Sequence, residues 1–205
     1  MARITSFLTL LLAPYTSAFL LDSNYQQPLV GSIAKSPIQF QPMAWEANVR
    51  TAIDPTRAVT CTAGQVKVFL TNKPRELISA VLTFQIPKAK YCWLEFVAPA
   101  GAKGNFDLRV LLLEAPLTCP KPGPVTGWRP VPKPNEPGRF KITPKGGNST
   151  WDSRINRDLN YPWSSECKNL AEFLSVELVP QEGIVDIDLS WGQSEKTGLR
   201  LMVSN

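Results

Sequence analysis

From Ala58 onward, apolar residues recur at every second position, and this period limits the possible folds more than any other feature. Val66, Val68 and Leu70 alternate with Lys67 and Phe69. Ala80, Leu82, Phe84 and Ile86 alternate with Val81, Thr83 and Gln85, and Pro87 ends the run. Cys92, Leu94 and Phe96 alternate with Trp93, Glu95 and Val97, and Phe106 to Glu114 is a longer apolar run. Further on, Leu174, Val176 and Leu178 share a face, as do Val185, Ile187, Leu189 and Trp191. Leu199, Leu201 and Val203 follow. A period of two places alternate side chains on opposite faces of a strand. Gly and Pro bound these runs, as strand boundaries require. About eight short strands without a long helical pattern predict an all-β chain, an antiparallel β-sandwich.

Proline sets the loops. The chain of 205 residues holds 19 prolines, about twice the usual rate of roughly 5%. They concentrate between Pro116 and Pro144. A segment this rich in proline lacks ladder donors, so Pro116 to Pro137 reads as a long surface loop. Phe140 to Thr143 reads as a short strand, and Gly146 to Pro162 as a second long loop. Gln26-Gln27-Pro28, Ser36-Pro37 and Gln41-Pro42 interrupt the region before the strands. Residues 19–57 are therefore expected to form an irregular arm, docking through Met43-Ala44-Trp45, ahead of a β-sandwich domain over 58–205.

The first 18 residues have the layout of a secretory signal peptide. Arg3 supplies a positive start, Ile4 to Ala13 a short apolar run that Pro14 breaks, and Thr16-Ser17-Ala18 small residues for cleavage. That run is shorter than the roughly 20 apolar residues a bilayer span needs. Secretion places the four cysteines, Cys61, Cys92, Cys119 and Cys167, in an oxidising compartment, where an even count predicts two disulfides. No Cys-x-x-Cys pair is present, which argues against zinc ribbons and thioredoxin-like redox motifs. Three connectivities remain open on spacing alone. No hydrophobic tail follows Val203, so no membrane anchor is expected.

Charge and residue inventory narrow the chemistry. Net charge is +5, or +4 without Arg3. Its lysines and arginines are scattered rather than clustered, and an exported chain offers no nucleic-acid reading. The sequence has no histidine. That excludes Ser-His-Asp and Cys-His catalysis and removes the commonest ligand of zinc, copper and non-haem iron. No metal or other cofactor is implied. Paired carboxylates remain, as glycosidases use. Asp186 and Asp188 stand on one strand face about 7 Å apart, a pattern that a solvated strand face produces equally. Trp128, Trp151 and Trp163 fall in polar or Pro/Gly-rich stretches and are candidate ligand-binding residues, since exposed indoles can stack on sugar rings. The same rings can instead pin the loops to the core. Asn148-Ser149-Thr150 is an N-glycosylation sequon, making Asn148 a candidate glycan site.

Phe84-Gln85-Ile86-Pro87, Cys92-Trp93-Leu94-Glu95-Phe96, Cys167 with Ser175-Val176-Glu177-Leu178, and Gly198-Leu199-Arg200-Leu201 occur in that order. The order resembles the C-terminal domain of the fungal ubiquitin 3 binding protein (But-two) family, over roughly residues 58–205. The family's Cys-Pro-Ala-Gly is replaced here by Cys167-Lys168-Asn169-Leu170. The resemblance implies an extracellular fungal β-sandwich in which Cys92 pairs with Cys167 and Cys61 with Cys119. It carries no catalytic residues. Together these readings predict a secreted, non-catalytic protein with a binding or structural role at the cell wall or at a host or substrate surface. Its partner would be a cell-wall polysaccharide or a surface protein. Carbohydrate binding through the loop tryptophans, or polysaccharide hydrolysis through Asp186 and Asp188, are the alternatives.

Overall fold

The computed structural model describes residues 39–41, 43–51, 57–72, 75–100, 105–134, 137–143, 147–152, 164–181, 186–194 and 196–205. Residues 1–18, expected to be a signal peptide, residues 19–38 of the expected arm, Trp163, and the side chains of Asn148 and Trp151 lie outside the described residues. Strands make up most of the described residues. In order the strands are β1 (Gln39–Gln41), β2 (Met43–Thr51), β3 (Arg57–Cys61), β4 (Gln65–Asn72), β5 (Arg75–Gln85), β6 (Tyr91–Ala98), β7 (Phe106–Leu112) and β8 (Gly123–Pro124). Then come β9 (Gly138–Ile142), β10 (Gly147–Asn148), β11 (Thr150–Asp152), β12 (Ser164–Glu166), β13 (Phe173–Pro180), β14 (Ile187–Gly192) and β15 (Gly198–Ser204). One turn of 3-10 helix, Cys167–Asn169, follows β12. Among the described residues no helix is long and apolar enough to cross a membrane.

All strand pairs are antiparallel and form two sheets. The small sheet runs β1-β15-β6-β10, with β12 also paired to β6. The large sheet runs β11-β9-β7-β13-β5-β2-β3-β8, and the antiparallel pair β4–β14 joins it through β5. The sheets pack through the positions that the two-residue period singled out. Ala80, Leu82 and Phe84 of β5 and Val176 and Leu178 of β13 meet Leu94 and Phe96 of β6 and Leu199 and Leu201 of β15. Phe96 is the hinge of this core. Its ring stands edge-on to Trp191 at 5.4 Å and lies 5.8 Å from Phe140. Each such large side chain contributes roughly 1.5–3 kcal/mol by leaving water.

Two findings depart from the sequence reading. Residues 43–51, within the arm expected to be irregular, form β2, which lies between β5 and β3. Its inward positions carry Glu46 and Asn48, which hides the alternation. Both accept from the backbone leading into β4: Gly64 N–H, just before the strand, donates to Glu46 Oε1, and Lys67 N–H donates to Asn48 Oδ1 at 2.9 Å, while Glu46 Oε2 is buried with no partner among the described residues. The Pro-rich segment is also more than a surface loop. It straps a second, smaller core on the far face of the large sheet, where Ala47, Val49, Val59 and Val81 meet Leu113 and Leu117.

The disulfides fasten these parts. Cys61–Cys119 ties the strap to β3, with Cα atoms 5.7 Å apart. Cys92–Cys167 ties β6 to the 3-10 turn, with Cα atoms 5.2 Å apart. This is the pairing that the family resemblance implies. Two disulfides in one small domain belong to an oxidising folding environment.

Candidate functional site

The strand patterns decide where each candidate residue points. On β14, Ile187, Leu189 and Trp191 are buried and the alternate positions are exposed. Asp188 faces solvent, where it pairs with Lys67 at 3.1 Å. Asp186 is exposed just before the strand. Lys67 also lies 4.5 Å from the centre of the Phe69 ring, so this face reads as a solvated, charge-balanced surface.

Of the loop tryptophans, Trp128 is placed fully. It is partly buried against the second core, beside Cys119 and Val125, and its Nε1 is buried with no partner among the described residues. It serves to seat the strap. The backbone of Trp151 pairs with Phe140 in the large sheet. That of Asn148 pairs with Val97 at the edge of the small one.

Trp93 stands on the outward side of β6. Burial there alternates without a break: Cys92, Leu94, Phe96 and Ala98 are buried, while Tyr91, Trp93, Glu95 and Val97 are partly exposed. Tyr91 and Trp93 thus project from one strand face, about 7 Å apart. Register supplies their neighbours. Met202 of β15 stands opposite Trp93, Arg200 opposite Glu95, and Ser164 of β12 flanks Trp93 on the other side. The indole is held: Trp93 Nε1 donates to Glu95 Oε1 at 3.1 Å, and Glu95 Oε2 pairs with Arg200 at 2.6 Å. With its N–H bonded to the Glu95 carboxylate, the indole has a fixed orientation on the outward side of β6.

Charge gathers at one end of this face. Lys90 Nζ lies 5.0 Å from the Tyr91 ring centre, and Lys168 pairs with Glu166 at 2.9 Å. The Lys168 ammonium, by hydrogen bond and charge, holds the Glu166 carboxyl below the usual carboxylate range, and Glu166 raises Lys168 in return. Beyond them lies an open cleft of about 350 Å³ lined by Ile86, Pro87, Ala89, Cys167, Leu170 and Ala171, with Lys88, Lys168 and Glu172 at its rim. Ile86 N–H donates to the Glu172 carbonyl at 2.8 Å, joining two of the lining residues.

A different carboxylate is buried under the strap. Glu177 of β13 has no solvent exposure. It pairs with Arg57, and Ser79 Oγ donates to it at 2.5 Å. Burial pushes its carboxyl above the usual range, outweighing the lowering by Arg57, Ser79 and Arg109. A carboxylate sealed this way is a structural group that no bulky substrate reaches. Among the described residues no group of three or more His, Cys, Asp or Glu side chains is placed to hold a metal ion.

A strand pattern by itself reads Trp93 as sheet packing. The available signal was its position out of phase with Cys92, Leu94 and Phe96. No protein-family model, curated protein or solved structure matches this chain.

Proposed function

We propose that this chain is a secreted, non-catalytic binding module that acts at a cell wall or other polysaccharide-bearing surface. The outer face of the small sheet is its contact surface. The observation that carries this reading is the hydrogen-bonded chain Trp93–Glu95–Arg200, which fixes an indole ring on a flat sheet face with charged hydrogen-bonding groups beside it. A sugar ring has an apolar face edged by hydroxyls. An immobile aromatic flanked by a carboxylate and a guanidinium matches both features, and its ordering cost is already met in the free protein. Secretion is supported by the signal-like residues 1–18 and by two disulfides. The resemblance to the But-two C-terminal domain family points the same way.

The test is retention of the disulfide-bonded protein on insoluble chitin, β-glucan and cellulose. The native protein is expected to be retained on at least one polymer and released by the matching soluble oligosaccharide. Trp93→Ala is expected to abolish retention with the fold intact, and Trp128→Phe to leave it unchanged. Retention on none of these polymers, or full retention of Trp93→Ala, contradicts the proposal.

A further inference from the structure

We propose that the cleft beside the 3-10 turn is a subsite for an N-acetylated sugar residue, which makes the Trp93 face selective for an N-acetylhexosamine polymer over a plain glucan. The inference rests on the reading of that face as a sugar-contact surface and goes further by naming the sugar.

Two segments wall the cleft. Residues 86–89 link β5 to β6, and residues 167–172 lead from β12 to β13. Backbone bonds hold the walls in place. Ile86 N–H donates to the Glu172 carbonyl at 2.8 Å, Cys167 N–H to the Lys90 carbonyl at 3.0 Å, and Leu170 N–H to the Cys167 carbonyl at 3.0 Å. The Cys92–Cys167 disulfide anchors the turn to β6. A cleft formed in advance lowers the ordering cost of binding. Its volume, about 350 Å³, stands at the small end of the roughly 300–1,000 Å³ that small-molecule sites span. That is room for a single ring with its substituents.

Register sets its place relative to Trp93. Ser164 of β12 stands opposite Trp93, and Glu166 stands opposite Tyr91. Passing from Trp93 to Tyr91 moves about 7 Å along β6. Just beyond Tyr91 and Glu166 come Ala89 and Cys167, and both line the cleft. A polymer stacked on Trp93 and running over Tyr91 is led into it.

The lining has three chemical parts. Ile86, Pro87, Ala89, Leu170 and Ala171 make the walls largely apolar. Lys88 supplies an ammonium and Glu172 a carboxylate. Both are exposed, and neither forms an ion pair among the described residues. Lys168, by contrast, is taken by Glu166. An acetamido group has three matching parts: a methyl for the apolar wall, a carbonyl that accepts from an ammonium, and an N–H that donates to a carboxylate. A glucose residue brings only hydroxyls, which lose water to an apolar wall without gaining partners there. The two rim charges also cancel, so neither a uronate nor a glucosamine ammonium is favoured.

The test is calorimetric titration of the disulfide-bonded protein with the β-1,4-linked tetramers of N-acetylglucosamine, glucosamine and glucose. These share linkage and length. The N-acetylated tetramer is expected to bind about tenfold tighter, or more, than the other two. The double substitution Lys88→Ala/Glu172→Ala alters exposed side chains, and Ala171→Phe fills the cleft. Each is expected to bring the N-acetylated tetramer down to the affinity of the glucose tetramer, with unchanged denaturation midpoints showing that the fold persists. Trp93→Ala is expected to abolish binding of every tetramer. Equal, Trp93-dependent affinity for the N-acetylated and glucose tetramers overturns the subsite alone, as does a preference that survives both cleft variants. Binding of no tetramer, or binding that does not need Trp93, overturns the reading of the face and the subsite with it.

Discussion

Arg57 of β3 reaches Glu177 of β13, a carboxylate from which folding removes all solvent exposure. The pair sits under the Pro-rich strap, with Ser79 donating to the same carboxylate oxygen and the Pro130 carbonyl accepting from Arg57. Burial outweighs these partners, so Glu177 holds its proton more tightly folded than unfolded. A group with a raised folded pKa contributes stability that is fully present below its ordinary value, near 4.5, and that is lost as pH rises through the raised value. The neutral isostere Glu177→Gln does not titrate. The native protein's advantage over Glu177→Gln in urea denaturation should be largest near pH 4 and shrink toward neutrality. An advantage that grows toward neutrality means that Arg57 outweighs burial.

Ser175 joins the large sheet to the strap. Its hydroxyl bonds with that of Thr83 at 2.5 Å and accepts from Leu117 N–H at 2.9 Å. Ser175→Ala leaves a buried amide unpartnered, at a cost of about 1–3 kcal/mol. Urea denaturation measures the loss, and hydrogen exchange at Leu117 should quicken more than at the β5–β13 ladder.

The two disulfides differ in what they hold. Their sequence separations, 58 and 75 residues, give similar entropic contributions, roughly 4 kcal/mol each in the chain-entropy treatment. Replacing Cys61 and Cys119 with serine should also release Trp128 from the second core and red-shift its fluorescence. Replacing Cys92 and Cys167 should leave Trp128 in place and loosen the 3-10 turn at the cleft.

Gly198 opens β15 at φ +94°, a region that L side chains rarely adopt. A Cβ there would also meet Trp191 and Gln193. Gly198→Ala should therefore destabilise by more than the roughly 1 kcal/mol that strained backbone alone costs, with near-ultraviolet dichroism of Trp191 changed. A neutral effect contradicts this packing at the sheet corner.

Much of the sandwich is legible in the chain because its inward positions are uniformly apolar. Cys92 to Phe96 and Ile187 to Trp191 show their inner face directly, and the burial follows it. The exception is β2, whose inward Glu46 and Asn48 accept from the N–H groups of Gly64, in the turn before β4, and Lys67, on β4. No local pattern reports such a partner. The disulfide partners are likewise a matter of register. β12 pairs Ser165 with Cys92, and Cys167 N–H then donates to the Lys90 carbonyl. The candidate surface was half visible. Trp93 and Glu95 lie two residues apart on one strand, but Arg200 and Met202 arrive from β15, more than a hundred residues later.

The central claim is that Trp93 meets the ligand. The most direct test is a two-dimensional amide spectrum of the labelled protein titrated with whichever soluble oligosaccharide releases it from an insoluble polymer. The account predicts the largest shift at the Trp93 indole N–H, with smaller ones at Tyr91, Glu95, Arg200 and Met202. Shifts centred on Trp128, Trp151 or Trp163, with Trp93 unmoved, would contradict it.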